Sequence, residues 1–270
     1  MPILHKLTEA GAWIEPDDVP RPVVTYGFCG DDFEGIELEQ HRHTKGQIML
    51  VQSGALSCEV EGGLWIVPPR SAIWIPCRAL HAIRMSGPHE GCNAFIDPAV
   101  ALGLPRTCCA VSVTPLLREL LLRAATLPLF YEEDGVNARL IALLLDEIAA
   151  ARIEDLHLPM PEHPGLRSMA EQMLEAPADR ATQHDWARRV GLSERTLARV
   201  ILRETGMSFG RWRQQLAVML AVKWMAGGVS IQQAAGDLGY ESVPSFVTMF
   251  RKVLGTSPGR YMAERHGSRT

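Results

Sequence analysis

The 270-residue sequence lacks several features that would assign a chain to a common class of protein. Its six cysteines form no C-x-x-C pair and follow no regular spacing, which indicates free thiols in a reducing compartment, with a thiol-based redox sensor as the alternative. No apolar run approaches the roughly 20 residues that a membrane-spanning helix needs. The first 13 residues also lack the charged start and apolar core of a signal peptide. These absences predict a cytoplasmic protein that is not associated with a membrane.

The chain as a whole has no excess of positive charge, because its formal net charge is −4. Its two halves nevertheless differ in sign. Residues 1–164 carry 12 Lys and Arg against 22 Asp and Glu, whereas residues 165–270 carry 15 against 9. The resulting balances of −10 and +6 fit an acidic sensor that stays off DNA, joined to a basic module that attracts phosphate.

Residues 230–262 have the pattern of two helices joined by a tight turn. Apolar residues recur at helical spacing on both sides of that turn, at Ala234, Ala235, Leu238, Phe246, Met249 and Phe250. Gly239 marks the turn, Ser242 can cap the second helix, and Pro244 suits its first turn. This pattern predicts a helix-turn-helix, with an ordinary helical hairpin as the alternative.

The same stretch resembles the second helix-turn-helix of AraC/XylS-type transcription regulators, including their G-T-S-P-x-x-Y ending at residues 255–261. Residues 182–206 repeat it. Ala187 and Gly191 match Ala235 and Gly239 at a shift of 48, and after one inserted residue Gly206 matches Gly255 at a shift of 49. We therefore expect an all-α domain over residues 166–270, with two helix-turn-helix units joined by a long helix near residues 210–225. A stiff connector would suit successive major grooves about 34 Å apart.

Polar residues that lie off the apolar helix faces are the candidates for DNA contact. The resemblance implies that positions 195, 198 and 199 read bases, and two of them are arginines that can bind guanine in a bidentate way. The alternative is that both arginines contact only phosphates. The second reading helix carries few polar groups, so the first unit should supply most of the direct readout. The predicted DNA-binding residues are Arg195, Thr196, Arg199, Arg203, Pro244, Thr248, Arg251 and Lys252.

Residues 22–96 consist of short β-rich runs separated by Gly and Pro, which predicts a small antiparallel barrel or sandwich. Within them the spacing G-x5-H-x-H-x3-Q-x6-G over residues 35–54 resembles the first cupin motif, with Gln47 where that family usually has Glu. Pro76 and His81 resemble parts of the second motif, whose glycines are replaced by Arg70 and Arg78. The resemblance to AraC-type sensor cupins implies a cupin-like barrel over residues 1–110.

His41 and His43 are two residues apart, so on a strand both side chains point to the same face. With His81 they are the predicted ligands of one divalent metal ion such as Zn, Ni or Fe. The predicted effector-binding residues are His41, His43, Gln47 and His81. Because Gln47 removes a negatively charged ligand, an organic effector in the same pocket is an open alternative, and simple packing of the histidines is a third.

Residues 111–152 predict two leucine-rich helices that follow the capping residues Thr114 and Asp134. In AraC-type sensors the equivalent segment forms the dimer, so we expect a homodimer; the alternative is that the helices only cover the barrel. Residues 153–165 contain three prolines and little pattern, which predicts a linker.

These features together predict an α+β protein of two domains, with a cupin-like β-barrel followed by two dimerisation helices and an all-α domain. The predicted function is a sequence-specific, DNA-binding transcription regulator controlled by a small molecule or metal bound in the barrel, and not an enzyme. The main rival is a metal-dependent, dioxygenase-like cupin enzyme with a regulatory DNA-binding tail. A third interpretation is a nonspecific architectural DNA-binding protein.

Overall fold

A computed structural model describes residues 14–30, 37–60, 62–154 and 156–266 of the chain. These residues divide into two compact units. The N-terminal unit contains the described residues up to 60 and those from 67 to 154, whereas the C-terminal unit contains residues 62–66 and those from 156 onward. In the described part of the chain, no helix has the length and apolar character that crossing a membrane requires.

The strands of the chain run mostly antiparallel and are numbered in sequence order. They are β1 (Val23–Gly30), β2 (Glu37–His41), β3 (Gly46–Val60), β4 (Gly63–Val67), β5 (Ser71–Ile75), β6 (His81–Ile96), β7 (Cys109–Ser112), β8 (Ile153–Glu154) and β9 (His157–Pro159). In the N-terminal unit the order is β1-β6-β3-β5-β7-β8, and β2 pairs with the first half of β6. The predicted strand-rich first half is therefore confirmed.

The sheet of the N-terminal unit is not closed, so the predicted cupin-like barrel is not confirmed. No pairing among the described residues joins β8 back to β1. The two long strands β3 and β6 pair along most of their length, with a register shift between Val51 and Ala55. Such a bulge bends a sheet without closing it. β1 and β2 then share one edge of β6 in succession, at Val23↔Ile96 and His41↔His81.

Two helices pack against one face of this sheet. α1 (Pro115–Ala124) begins after Thr114, whose hydroxyl accepts a hydrogen bond from Leu117 N, and α2 is Gly135–Ala149. Their apolar residues join one core with alternating strand residues, including Ile48, Leu50, Trp74, Ala94, Leu117, Leu121, Leu144 and Ile148. The helices thus cover the sheet, yet each also keeps apolar side chains in solvent.

Three cysteines of the N-terminal unit are buried free thiols. Burial raises the pKa of the Cys92 thiol to about 12 and that of Cys109 to about 11, and it also raises the pKa of Cys58. Since the thiolate is the reactive form, these three thiols are held in their inert state at neutral pH. They act as small apolar residues of the core.

From residue 164 onward every regular element of the described chain is a helix. The helices are α3 (Pro164–Glu175), α4 (Gln183–Arg189), α5 (Glu194–Thr205), α6 (Phe209–Ala226), α7 (Ile231–Asp237), α8 (Val243–Leu254) and α9 (Pro258–His266). α6 is the predicted long connector, and it contacts α5, α7, α8 and α9. Its buried residues lie on every side of the helix, as a helix in the centre of a domain requires.

The C-terminal unit also contains two short strands, of which β4 lies in the predicted β-rich residues 22–96 and β9 in the predicted linker. β4 pairs antiparallel with β9 at Leu64↔Leu158. The indole of Trp212 on α6 donates a hydrogen bond to Pro159 O at 2.7 Å, and Gln215 donates to His157 O at 3.1 Å. Residues 153–165, predicted as a linker, therefore include β8 and β9, and the division between the units falls between these two strands.

Candidate nucleic-acid interface and histidine cluster

The two helix-turn-helix units begin and end their second helices with the same chemistry. Ser193 Oγ accepts a hydrogen bond from Thr196 N at 3.1 Å before α5, and Ser242 Oγ accepts one from Ser245 N at 3.4 Å before α8. Both helices end at a glycine in the left-handed region, Gly206 with φ 69° and Gly255 with φ 75°. The internal repeat in the sequence thus corresponds to the same N-terminal and C-terminal caps on α5 and α8.

The turns between the paired helices use glycine for the same reason. Gly191 between α4 and α5 has φ 69°, and Gly239 between α7 and α8 has φ 75°. Side chains with a Cβ rarely adopt this conformation. The surroundings of the two glycines differ, because a Cβ at Gly239 would lie 2.9 Å from Ala178 O, whereas one at Gly191 would meet nothing within 4 Å.

The second helix of the first helix-turn-helix unit, α5, exposes two arginines that have no partner among the described residues. Leu197, Val200 and Ile201 form its buried face, whereas Arg195 and Arg199 are exposed. Neither guanidinium makes a hydrogen bond or ion pair with any residue in the described part of the chain. Their donors are therefore available to a ligand outside the protein.

The other two predicted residues of α5 already have partners. The Thr196 hydroxyl shares a hydrogen bond of 2.8 Å with Ser193 Oγ, and Arg203 forms an ion pair of 2.7 Å with Glu204. Glu204 Oε2 also accepts hydrogen bonds from Glu162 N and His163 N at the start of α3. Arg203 is thus partly neutralised, which makes it a weaker candidate than Arg195 or Arg199.

The second helix of the second helix-turn-helix unit, α8, presents a poorer polar surface. Phe246, Met249 and Phe250 are its buried residues, and the exposed Arg251 and Lys252 have no hydrogen bond or ion pair among the described residues. The Thr248 hydroxyl donates to Pro244 O at 2.9 Å, so Thr248 can only accept from a base. Pro244 itself is exposed and offers only apolar contact.

The three predicted histidines lie together in the N-terminal unit. His41 and His81 are opposite each other on β2 and β6, and His43 follows in the loop before β3. Each ring offers a nitrogen that lies within 4.8 Å of those of the other two. The ring centroids of His41 and His81 are 4.2 Å apart, and those of His43 and His81 are 5.0 Å apart.

Each histidine is held through its Nδ1 atom. That atom contacts a backbone carbonyl oxygen in all three rings: Glu39 O for His41, Lys45 O for His43 and Ala79 O for His81. Because a carbonyl oxygen only accepts, Nδ1 carries the proton, and the neutral ring keeps its lone pair on Nε2. This is how metal-binding histidines are usually oriented.

His81 is fully buried, and its Nε2 atom has no hydrogen-bond partner among the described residues. Burial, and after it the charges of His41 and His43, lower the pKa of His81 to about 3. Burial and the His43 charge also lower the pKa of His41. The pKa values of His41 and His81 therefore favour neutral imidazoles, whose lone pairs can bind a cation.

An amide pair lies beside His43. Gln47 Oε1 is 3.1 Å from His43 Nε2, and Gln47 Nε2 donates to Asn93 Oδ1 at 2.8 Å. Since an amide oxygen cannot donate, this contact requires either a charged His43 or a Gln47 amide rotated by 180°. Asn93 was not predicted as part of the site. Phe95 of β6 lies opposite Gln47, and Asn93 is two residues before Phe95 on the same side of the strand, so the strand register could have indicated the contact.

The loop that carries His43 is fixed by groups that the sequence pattern did not reveal. The Asp17 carboxylate accepts hydrogen bonds from Thr44 N at 2.6 Å and Lys45 N at 3.0 Å. Burial would raise the pKa of Asp17, but these backbone N–H groups lower it overall. The buried Lys45 ammonium donates to Arg21 O and pairs with Asp97 at 3.4 Å.

Arg70 and Arg78, which stand where the cupin motif has glycines, both have left-handed backbone angles, φ 61° and φ 65°. Arg78 N donates to His43 O at 3.0 Å, so this turn borders the His43 loop. Non-glycine residues rarely have such angles, and where they do the surrounding structure must hold them.

Known proteins resemble this chain at several levels. A family model described as a helix-turn-helix domain matches residues 186–264. The HTH-type transcriptional regulator NimR of Escherichia coli (strain K12) is 42% identical over 261 residues, which cover 97% of this chain and 94% of NimR. The HTH-type transcriptional regulator RipA of Corynebacterium glutamicum is 31% identical over 109 residues, covering 40% of this chain and 33% of RipA. The structure of fatty acid-bound ToxT from Vibrio cholerae has 12% identity, a TM-score of 0.39, and coverage of 92% of this chain and 96% of its own.

Proposed function

Since this chain belongs to the AraC family of DNA-binding transcription regulators, we propose that α5 reads base sequence, α8 mainly anchors the protein, and a ligand at the histidine cluster controls both. The relatives are named transcription regulators, so the chain is a regulator and not an enzyme. The rival interpretation as a cupin enzyme is not favoured by these relatives.

The observation that carries the assignment of α5 is the pair of unpartnered arginines. Arg195 and Arg199 lie one helical turn apart on the exposed side of α5, so both can enter one major groove. A bidentate contact with guanine is worth about 1–3 kcal/mol of discrimination against another base. Arg251 and Lys252, in the last turn of α8, are better placed to bind phosphate.

Matched alanine variants test this division of roles. We expect Arg199→Ala to relax the base preference at one step of the operator, because one bidentate contact is lost. Lys252→Ala should instead weaken all sequences alike and reduce the slope of log K against log salt by about 0.9. Selection from a random-sequence library and binding titrations at several salt concentrations measure both effects. Identical effects of the two substitutions would contradict the assignment.

We further propose that the N-terminal unit is a cupin-like sensor, and that His41, His43 and His81 hold one divalent metal ion. The orientation of all three rings by backbone carbonyls and the orphaned Nε2 atom of His81 support this donor set. A bound ion would tie β2, β6 and the His43 loop together. The left-handed Arg70 and Arg78 support the cupin-like turns.

An organic effector is the second candidate at the same cluster, because Gln47 contacts His43 Nε2, the atom that would have to bind a metal. The amides of Gln47 and Asn93 are each 3% exposed and can orient a polar ligand. Elemental analysis of protein purified without a His-tag or chelator separates the two candidates. Near-stoichiometric metal that is lost in His41→Ala/His43→Ala supports the ion, whereas metal-free wild-type protein supports the organic effector.

We also propose that the chain forms a homodimer through α1 and α2. Leu116, Val136 and Leu143 are 49%, 69% and 43% exposed although the neighbouring apolar residues of both helices are buried. Val136 and Leu143 are about two turns apart on α2, so both lie on one exposed side of the helix, and exposed apolar residues grouped in this way mark a surface for pairing between subunits.

A further inference from the structure

The loop between α3 and α4, residues 176–182, contacts three separate elements of the C-terminal unit. It contacts the connecting helix α6, the first helix-turn-helix through α4, and the second helix-turn-helix through the turn between α7 and α8. A segment with three such attachments can fix the relative placement of the elements it joins.

The contact with α6 is a forked hydrogen bond. Arg213, one turn into α6, donates from Nη1 to Ala181 O at 2.8 Å and from Nη2 to Asp179 O. Two carbonyl oxygens of one loop thus share one planar guanidinium. A lysine cannot reproduce this arrangement, because its ammonium is a single point donor group without the rigid fork.

The contact with the first helix-turn-helix runs through Asp179. Its carboxylate accepts from Arg189 at the end of α4 and from Ala181 N at 2.7 Å. The Arg189 guanidinium and then the Ala181 N–H hold the pKa of Asp179 below its usual range. Arg189 also lies over the Trp186 ring at 4.4 Å, which fixes its side chain against α4.

The contact with the second helix-turn-helix has a polar and a steric part. Arg180 pairs with Glu241 at 2.9 Å, and Ala178 O lies so close to Gly239 that a Cβ there would be 2.9 Å away. Beside these contacts lies a cavity of about 510 Å³ that residues of the loop, α6 and the turn line together. The named polar contacts, together with the close approach of Ala178 O to Gly239, therefore hold the loop at the edge of this cavity.

We propose that the α3–α4 loop, held by Arg213, is a positioning element that sets the separation and rotation of α5 relative to α8. α6 joins the two helix-turn-helix units through a single helix, and either of them could rotate about the axis of that helix. The loop adds a second connection between them, because it contacts Arg189 of α4, Arg213 of α6 and Glu241 of the turn between α7 and α8. This inference rests on the proposed reading of DNA by both helices, and it makes binding sensitive to the spacing between the two half-sites.

The experiment measures how affinity depends on half-site spacing. Wild-type protein first selects its preferred duplex from a random-sequence library, and one base pair is then inserted between the two contacted segments. The insertion shifts one half-site by about 3.4 Å and about 35°. We expect the wild type to bind the lengthened duplex at least about tenfold more weakly. Arg213→Ala and the charge-preserving Arg213→Lys should bind the original duplex about 3–10-fold more weakly, with no more than about a threefold further loss on insertion.

A second pair of variants separates placement from charge. Arg180→Ala and Glu241→Gln break the same contact but change the net charge in opposite directions. A purely electrostatic effect would therefore shift their affinities in opposite directions, whereas loss of placement flattens the spacing profile of both. Arg260→Ala, which breaks an exposed ion pair on α9 away from the loop, should keep the wild-type profile.

Three outcomes overturn these ideas in distinguishable ways. A folded Arg213→Ala variant, verified by circular dichroism and thermal unfolding, that keeps the tenfold ratio overturns the inference. If that variant does not fold, the Arg180→Ala and Glu241→Gln pair decides in the same manner. A wild type that tolerates the inserted base pair overturns the two-helix reading of DNA, and the inference with it.

Discussion

Replacing Gly239 with alanine should destabilise the C-terminal unit more than the same change at its repeat partner Gly191. Both residues have positive φ, so alanine is strained at either site. The left-handed conformation costs an L-residue about 1–2 kcal/mol, and the stiffer unfolded chain returns about 0.4–1 kcal/mol. The net cost at Gly191, where the Cβ has free space, is therefore about 1 kcal/mol.

At Gly239 the new Cβ also meets the backbone oxygen of Ala178 at 2.9 Å. Neither group is the end of a flexible side chain, so the turn and the α3–α4 loop must move apart. Overpacking of this kind costs about 1–3 kcal/mol, which brings the total to about 2–4 kcal/mol. Since about 1 kcal/mol shifts the melting temperature of a domain near this size by roughly 4–8 °C, the two variants should be easy to separate.

Amide hydrogen exchange measured by mass spectrometry gives the local readout for both variants. Gly239→Ala should increase exchange in α7, α8 and residues 176–182, whereas Gly191→Ala should affect mainly α4 and α5. Gly236→Ala is the control, because this exposed glycine inside α7 has no close neighbour and alanine there should stabilise the helix by up to about 1 kcal/mol. Equal destabilisation by Gly239→Ala and Gly191→Ala would refute the close contact between the loop and the turn.

Three further results are expected. The neutral form of His81 is favoured in the folded state, so the stability that it contributes to the N-terminal unit should be fully present above pH 6.5 when a chelator is added. As the pH falls from 6.5 towards 3, the free energy of unfolding should decrease by up to about 1.4 kcal/mol per pH unit. Urea titrations of His81→Gln should show a flatter dependence on pH. Val136→Glu/Leu143→Glu should yield monomers in sedimentation velocity, and a persistent dimer would exclude this face of α2. Asp17→Ala should cost the N-terminal unit about 1 kcal/mol and speed exchange of the Thr44 amide, because two backbone donors lose their charged acceptor; an unchanged exchange rate at Thr44 would contradict this role.

The C-terminal unit could be predicted from sequence because its signals are local. A serine before a helix, a glycine after it and an apolar residue every third or fourth position act within one or two turns of chain. Ser193 and Ser242 therefore marked the starts of α5 and α8, and Gly191 and Gly239 marked the two turns. The hydrogen-bond partner of each polar side chain could not be predicted in this way. The Thr248 hydroxyl, for example, donates its proton to Pro244 O and cannot donate it to a base.

The N-terminal unit was harder to predict because its contacts join distant residues. The histidine spacing brought His41 and His43 to one place, and the structure adds His81 as predicted. The Asp17 carboxylate, however, reaches the backbone of a loop 27 residues away, and no periodicity marks such a pair. A closed barrel also could not be distinguished from an open, bulged sheet, since both need the same alternating strands.

The pairing of β4 with β9 affects the order in which the chain can fold during its synthesis. About 90 residues separate the two strands, and at 5–20 residues per second the ribosome needs roughly 5–20 s to cover that distance. The pairing of β4 with β9 therefore cannot form until β9 has been made, and the hydrogen bond from Trp212 of α6 to Pro159 O follows later still. We expect the C-terminal unit to be completed only in chains whose N-terminal unit has already been synthesised, so that the DNA-binding domain is the last part of the chain to fold.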